Sequence, residues 1–206
     1  MTLVYAHRGA SAAEPENTVA AFRAAARFRA DGVELDVRRT ADGQAAVVHD
    51  AALPDGRAVA DVTLDDVPAV VPRLPEALDA CAGMVVNVEV KNAPWDADFD
   101  PDEALAELVV CTLADRGGRD RVLVSSFGAA AVARVRALDA ALPTALLTAV
   151  LTDDQVEAVV HEVHAAGLAV NTWTVDDPER IAALAALGVD GVVTNVPDVA
   201  LRALGR

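Results

Sequence analysis

Two carboxylates and an imidazole lie within residues 31–50 at a spacing suited to metal binding or acid–base catalysis. Glu34 and Asp36 alternate with apolar residues at 33, 35 and 37, and this period of two is typical of a β-strand. Both carboxylates therefore extend from one face of the strand, where they repel each other unless a cation lies between them. A short apolar run at 45–48 leads to His49, so the segment predicts a β-hairpin.

Asp42 and Gly43 favour a two-residue type I′ turn for this hairpin. With that turn Asp36 pairs with His49, and directly opposed side chains have Cβ atoms about 4.5–5.5 Å apart. One face of the hairpin then holds Glu34, Asp36 and His49. The alternative is an edge hairpin whose charged face is simply solvated.

A later predicted strand, at 84–91, also has one polar face. Valines at 86, 88 and 90 occupy one side, and Asn87, Glu89 and Lys91 occupy the other. Burying three polar side chains in an apolar core is costly. This face is therefore predicted to point into a polar cavity.

The reactive side chains converge toward the ends of predicted parallel strands, which is where barrel active sites lie. His7 and Arg8 follow the first strand, and Glu34, Asp36 and Glu89 lie on later ones. Three carboxylates form an all-oxygen donor set that suits Mg²⁺ or Ca²⁺. The two histidines suit acid–base catalysis, and the alternative is that they ligate a softer metal.

Strands and helices alternate along almost the whole chain, which predicts parallel strands joined by crossover helices. The predicted strands are 3–6, 33–37, 84–91, 122–125, 144–148, 168–175 and 192–194, with the hairpin strand at 45–49. The expected fold class is α/β, a TIM-like (β/α) barrel in a single domain spanning 1–206.

The segment 149–167 is too short for a complete barrel. Its 19 residues hold one helix, at 153–166, whereas a further helix–strand–helix unit needs about 30 residues or more. We therefore predict a barrel that is one βα unit short, with seven parallel strands. An opening between 148 and 168 would leave strand edges for side chains or a second copy of the chain to cover, so homo-oligomerisation is left open.

The composition of the chain limits the classes of binding partner that we expect. The chain has 206 residues, of which 53% are hydrophobic, and a net charge of −15 that disfavours nucleic acid and anionic membranes. No signal peptide and no run approaching 18 apolar residues is present, so we expect a cytoplasmic protein without a membrane span. Cys81 and Cys111 are predicted to be reduced core thiols, and His161 and His164 to be surface residues.

Several short motifs together resemble the glycerophosphodiester phosphodiesterase family. The matching segments are AHRG at 6–9, ENT at 16–18, VELDV at 33–37, DGQAAVVHD at 42–50, VEVK at 88–91, SSF at 125–127, NTWTVDDP at 171–178 and DGVVTNVPD at 190–198. They follow the family's order. Jointly they are highly specific, although HRG or ENT alone would mean little.

This resemblance implies a metal-dependent phosphoric diester hydrolase that cleaves a small-molecule glycerophosphodiester to glycerol 3-phosphate and an alcohol. Considered without the resemblance, Trp173 could either line the site or fill the core. The implied site residues are Glu34, Asp36 and Glu89 as ligands of Mg²⁺ or Ca²⁺, His7 and His49 as general acid and base, and Arg8, Lys91 and Trp173 as substrate contacts.

The sequence departs from the family pattern at two places and leaves three other functions open. The segment 51–74 is short where the family usually inserts a cap, which leaves the preferred alcohol open, and one barrel strand is missing.

One alternative function is that of a phospholipase-like enzyme of the same fold that releases a cyclic phosphate. The others are a non-catalytic binding barrel, although no histidine or ligand is lost, and a Schiff-base aldolase built on Lys91.

Overall fold

The computed structural model of the protein describes residues 1–116, 121–148 and 153–206. Its strands form one sheet. The strands are β1 Leu3–His7, β2 Gly32–Arg39, β3 Ala45–Val47, β4 Val85–Val90, β5 Val122–Ser126, β6 Thr144–Leu146, β7 Asn171–Thr172 and β8 Gly191–Thr194. Seven of them run parallel in the order β6-β5-β4-β2-β1-β8-β7, and β3 pairs antiparallel with β2.

Helices connect successive parallel strands, as the alternating pattern predicts. Thr18 caps the first of them, where its hydroxyl accepts a hydrogen bond from the amide of Ala21. The helices are α1 Val19–Arg27, α2 Leu74–Ala80, α3 Ala104–Arg116, α4 Ala129–Leu138, α5 Asp153–Ala165, α6 Pro178–Ala186 and α7 Pro197–Ala203.

The outer face of the sheet forms the main core. Val33, Leu35 and Val37 of β2 are fully buried, and they belong to one apolar cluster with Phe22 of α1 and residues of α2 and α3. Because side chains alternate along a strand, this packing directs Glu34 and its polar neighbours to the inner face.

Tyr5 fills the inner face at the amino-terminal end of the strands. A Cβ atom built on Gly32 would lie 2.5 Å from the Tyr5 ring, and one on Gly191 would lie 2.9 Å from it. These two glycines therefore make room for the ring, which is 6% exposed. The space left for a ligand is at the opposite, carboxyl end of the strands.

The hairpin register differs by one residue from the prediction. Val37 pairs with Val47, whereas a two-residue turn would pair it with Val48. Three residues, at 41–43, form the loop, with Gly43 at φ +72°. The Thr40 hydroxyl donates to the Asp42 carboxylate and accepts from the amide of Gln44, which fixes the wider loop.

Because of this register, Asp36 does not lie opposite His49, and that prediction was wrong. His49 comes two residues after the end of β3 and reaches the inner face from a turn. The error affects the pairing but not the location of His49 beside the inner face.

Seven parallel strands are confirmed among the residues that the structure describes. Among the described residues the path of the sheet ends at β6 on one side and β7 on the other, which flank the segment where the opening was predicted. The expected strand at 168–175 is reduced to the two residues of β7. Whether 149–152 form a strand lies outside the described residues.

The segment 51–73 connects the hairpin to α2. It holds two 3₁₀ turns, Val59–Asp61 and Leu64–Asp66, and a satellite apolar cluster around them. Ala46 of β3 belongs to this cluster. The segment therefore packs against the hairpin that leads to His49.

The predicted environments of the cysteines and outer histidines are mostly confirmed. Cys81 is buried, and burial raises the pKa of its thiol to about 12. Cys111 is exposed on α3, so its assignment to the core was wrong: it falls on the solvent side of an apolar helix. His161 and His164 are exposed, as predicted. Within the described ranges, none of the helices is long and apolar enough to cross a bilayer.

Candidate active site

Three acidic side chains meet on the inner face of the sheet. Glu34 and Asp36 extend from β2 and Glu89 extends from β4, where the parallel register places Asp36 beside Glu89. One carboxylate oxygen from each residue lies within 4.8 Å of the others, and all three residues are at least 91% buried. The predicted convergence of these carboxylates is confirmed.

The carboxylate cluster is electrostatically suited to a cation. Burial, followed by the charges of Asp36 and Glu89, raises the pKa of Glu34 well above its ordinary value. Burial and Asp36 also raise the pKa of Glu89, while Lys91 opposes that effect. The Oε1 atom of Glu34 is buried without a hydrogen-bond partner among the described residues. A buried, oxygen-only donor set with an unsatisfied oxygen fits Mg²⁺ or Ca²⁺.

Arg8 and Lys91 border the cluster. The backbone amide of Arg8 donates to Glu34 at 3.0 Å, and its Nε lies 3.2 Å from Asp36. The Nζ of Lys91 is 2.9 Å from Glu89 and 3.7 Å from Asp36. The site therefore combines concentrated negative charge with two cationic side chains at its border.

The ring of His7 has a fixed orientation. Its Nδ1 lies 2.7 Å from the Oδ1 of Asn195, and the Nδ2 of Asn195 donates to the carboxylate of Asp176. Because that carboxylate only accepts, the amide oxygen of Asn195 faces His7, so Nδ1 of His7 carries the proton. Nε2 is then the free lone pair of the neutral ring, 3.9 Å from Glu34. Burial lowers the pKa of His7.

His49 is held by a buried arginine and a carboxylate. Arg38 Nε donates to the backbone carbonyl of His49 at 2.7 Å, while its other nitrogens contact Asp98 at 2.5 Å and Asp96 at 3.7 Å. Asp50 lies 2.7 Å from Nδ1 of His49, and this hydrogen bond lowers the pKa of Asp50. Arg38 therefore links β2, the His49 turn and the loop that follows β4.

Two cavities of about 250 Å³ each open beside the carboxylates. Both are lined by His49, Glu89, Lys91 and Phe127, so they meet at these residues. Trp173, which lines the second cavity, is 40% exposed and packs edge-to-face on Phe127 with centroids 5.4 Å apart. Trp173 thus lines the site and does not fill the core.

Several residues that contact the site were not assigned to it from sequence. Asn17 donates to Asp36 at 2.9 Å, in addition to the contacts of Asn195 and Arg38 described above. Arg38 has a signal in the sequence, because it continues the alternation of Glu34 and Asp36. The two asparagines lie within the matched motifs, but their partners are distant in sequence.

The fold and the site together define a class of protein with a barrel-like sheet of parallel strands. An acidic site suited to a metal ion lies toward the carboxyl ends of these strands. Comparison with known proteins identifies the group within that class. The chain belongs to the glycerophosphoryl diester phosphodiesterase family, whose model matches residues 7–157 and 148–199.

Individual relatives agree over nearly their whole length. A glycerophosphodiester phosphodiesterase of Bacillus altitudinis is 29% identical over 98% of this chain and 98% of its own. A Mycobacterium tuberculosis relative is 32% identical over 94% and 89% of the two chains. A solved structure from Silicibacter pomeroyi DSS-3 superposes with a TM-score of 0.87, at 26% identity over 99% of this chain and 93% of that one.

Proposed function

We propose that residues 1–206 form one catalytic unit that hydrolyses a glycerophosphodiester to glycerol 3-phosphate and an alcohol with the aid of a divalent cation. The observation that carries this proposal is the buried cluster of Glu34, Asp36 and Glu89 beside two histidines and two cationic side chains, in a member of this family. Metal ligation by the three carboxylates accounts for their burial together. When bound, Mg²⁺ or Ca²⁺ would neutralise phosphate charge and favour ionisation of a nearby oxygen.

The histidines are assigned opposite proton transfers. His7 is the general base, because Nε2 carries its lone pair, faces the carboxylates and belongs to a ring whose pKa is lowered by burial. His49 is the general acid that protonates the leaving oxygen, since Asp50 at 2.7 Å can pair with its imidazolium form. The positions of these partners support the assignment.

The cationic side chains bind the phosphate group of the substrate. Arg8 and Lys91 lie at the edge of the carboxylate cluster, where each can turn a donor toward a phosphoryl oxygen. Trp173 forms a wall of the cavity lined by His7 and Arg8. Glu34, Asp36 and Glu89 would serve as ligands of the cation and would not contact the phosphate directly.

Release of sn-glycerol 3-phosphate from a panel of glycerophosphodiesters tests the proposal. We expect release with Mg²⁺ or Ca²⁺ present, and one ¹⁸O atom in the phosphate when the reaction runs in H₂¹⁸O, because water is the nucleophile. Phosphorus NMR separates the outcomes. A cyclic phosphate would show attack by a vicinal hydroxyl, and unchanged substrate with every diester would show that the chain does not catalyse this reaction.

Arg38→Met should lower kcat by roughly 10- to 100-fold, because a small displacement of a proton donor costs that much. The substitution removes the hydrogen bond to the His49 carbonyl and the ion pair with Asp98, but it leaves Glu34, Asp36 and Glu89 unchanged. KM and cation affinity should change little. Steady-state kinetics and cation titration on the folded variant measure the two effects.

Arg39→Met provides the matched control, because Arg39 is the next residue and is exposed at the end of β2. It should retain wild-type kinetics. If Arg38→Met binds its cation and keeps its kcat, Arg38 does not position His49. Arg38→Lys should recover part of the loss, since a lysine can still donate to the carbonyl.

A further inference from the structure

Each of the three clustered carboxylates accepts a hydrogen bond at one of its two oxygens. The pairs are the Arg8 amide with Oε2 of Glu34 at 3.0 Å, the Asn17 side chain with Oδ2 of Asp36 at 2.9 Å, and Lys91 with Oε1 of Glu89 at 2.9 Å. Among the described residues, Oε1 of Glu34 has no hydrogen-bond partner. Lys91 lies 3.7 Å from Oδ1 of Asp36, which is too far for a hydrogen bond. These two oxygens are therefore left for a cation.

Asn17 holds Asp36 at two points. Its Nδ2 donates to the Asp36 carboxylate, and its Oδ1 accepts from the backbone amide of Asp36 at 3.3 Å. Because a backbone N–H only donates and an ionised carboxylate only accepts, these two partners fix the orientation of the Asn17 amide. The Nε of Arg8 lies 3.2 Å from the same Oδ2. The Asp36 carboxylate therefore cannot rotate without losing the hydrogen bond from Asn17.

The backbone of Asn17 is held in an uncommon conformation. Asn17 is buried and has a φ of +55°, in the left-handed region that asparagine tolerates better than most residues. Its N–H donates to the Arg8 carbonyl at 2.9 Å, which closes the loop 8–17. Left-handed backbone outside glycine persists where the surrounding structure holds it, and such positions cluster at functional sites. The same loop thus supplies donors to both Glu34 and Asp36.

The number of oxygens that each carboxylate can offer affects which cation suits the site. Mg²⁺ requires near-octahedral geometry and keeps several waters, whereas Ca²⁺ takes about six to eight oxygens and often both oxygens of one carboxylate. Donors that hold one oxygen of each carboxylate leave a small set of single oxygens, which suits Mg²⁺. A carboxylate that is free to turn both oxygens toward the cation suits Ca²⁺. The hydrogen bond from Asn17 to Asp36 therefore influences the choice of cation.

We infer that Asn17 is a positioning residue that restricts Asp36 to one free oxygen and thereby biases the site toward Mg²⁺ over Ca²⁺. The inference rests on the proposed function, which it deepens by naming the preferred cation. Asn17 acts through Asp36, because its amide is engaged with the carboxylate and the backbone amide of that residue. Loss of the amide frees Oδ2, so that Asp36 can turn both oxygens toward a larger cation.

Cation titration of the wild-type chain and of Asn17→Gly, in the absence of substrate, tests the inference. Glycine adopts a left-handed backbone without strain, so the substitution removes the side-chain amide and keeps the loop conformation accessible. The rise of the unfolding midpoint with Mg²⁺ and with Ca²⁺ gives a dissociation constant for each cation. We expect the variant to bind Mg²⁺ roughly 10- to 100-fold more weakly, the range for residues that orient metal ligands, and to lose less affinity for Ca²⁺.

Arg29→Gly is the matched control. Arg29 also has a positive φ, of +64°, and it is exposed just after α1, outside both cavities. The control therefore makes the same backbone change without altering the site, and it should keep both dissociation constants. If Asn17→Gly weakens Mg²⁺ and Ca²⁺ equally, or weakens neither, Asn17 does not influence the choice of cation. That result would overturn the inference and leave the proposed function intact.

A crystal structure of the wild-type chain with Mg²⁺ bound gives a second measurement, which does not depend on the folding of Asn17→Gly. We expect Asp36 to bind the cation through one oxygen while Asn17 donates to the other. Coordination through both oxygens of Asp36, or loss of the hydrogen bond from Asn17, would overturn the inference. Such a Mg²⁺ complex that hydrolyses no glycerophosphodiester would instead support the role of Asn17 and contradict the proposed function. Absence of binding of either cation would overturn both.

Discussion

Excess chelator should abolish hydrolysis, and Mg²⁺ or Ca²⁺ should restore it. Glu34, Asp36 and Glu89 bring three carboxylates within 4.8 Å at nearly full burial, and a buried anionic cluster cannot also receive a phosphodiester without compensating charge. Arg8 and Lys91 are already engaged with these carboxylates. We therefore expect substrate binding to require a divalent cation.

The substitution Glu34→Gln also tests the proposed metal dependence. The amide keeps the size of the carboxylate but is a weaker ligand, so we expect a loss of roughly 10³-fold or more in kcat/KM, equivalent to several kcal/mol of transition-state stabilisation. Thermal unfolding provides a second readout. A cation that binds the folded state raises the midpoint of the wild-type chain, and this rise should shrink in the variant.

In the absence of the cation, Glu34→Gln should not lower the unfolding midpoint. Burial raises the pKa of Glu34, which means that the folded protein disfavours its charged form, and the amide removes that cost. Glu162→Gln, at an exposed position of α5, is the control and should keep both activity and the cation-dependent rise. Full activity of the wild-type chain in excess chelator would contradict the proposed metal dependence.

The carboxylate site could be predicted because it depends on strand periodicity. Alternation places Glu34 and Asp36 on one face of β2, and the same rule places Glu89 on one face of β4. Parallel neighbours align their carboxyl ends, so the two faces had to meet once the fold class was established. The seven parallel strands followed from the same pattern and from the length of 149–167.

The hairpin register could not be obtained in this way. Asp-Gly favours a two-residue turn in general, but here Thr40 and Asp42 form side-chain hydrogen bonds that stabilise a three-residue loop. Asp42 also accepts from the amide of Leu64, a contact made by the segment 51–73. A tertiary contact thus contributes to the choice between two turns that the local sequence allows.

The asparagine that orients His7 could not be predicted from the sequence either. Asn195 is 188 positions from His7, and nothing in the spacing relates the two until β1 and β8 are known to be neighbours. The environment of Trp173 could not be predicted for a similar reason, because an aromatic residue near a strand end suits either a core or a cavity wall. Its contact with Phe127 depends on how the sheet curves.

Replacing either proposed acid–base histidine should slow hydrolysis by roughly 10²–10⁴-fold. For His7→Gln the loss arises because Nε2, the free lone pair beside Glu34, is removed. For His49→Gln it arises because the leaving oxygen no longer has a proton donor. His161→Gln, on the exposed side of α5, should retain the wild-type rate.

The pH dependence of hydrolysis tests the proposal that His7 is the base. Its pKa is lowered by burial, so the neutral ring persists below the pH at which an ordinary histidine would be protonated. At saturating cation, wild-type kcat/KM should fall on the acid side as pH decreases through this lowered pKa, and that acid limb should be lost in His7→Gln. Both histidine variants should keep the cation-dependent rise in unfolding midpoint. If either folds but loses that rise, the histidine is a metal ligand, and the assignment of proton transfer to that residue is wrong.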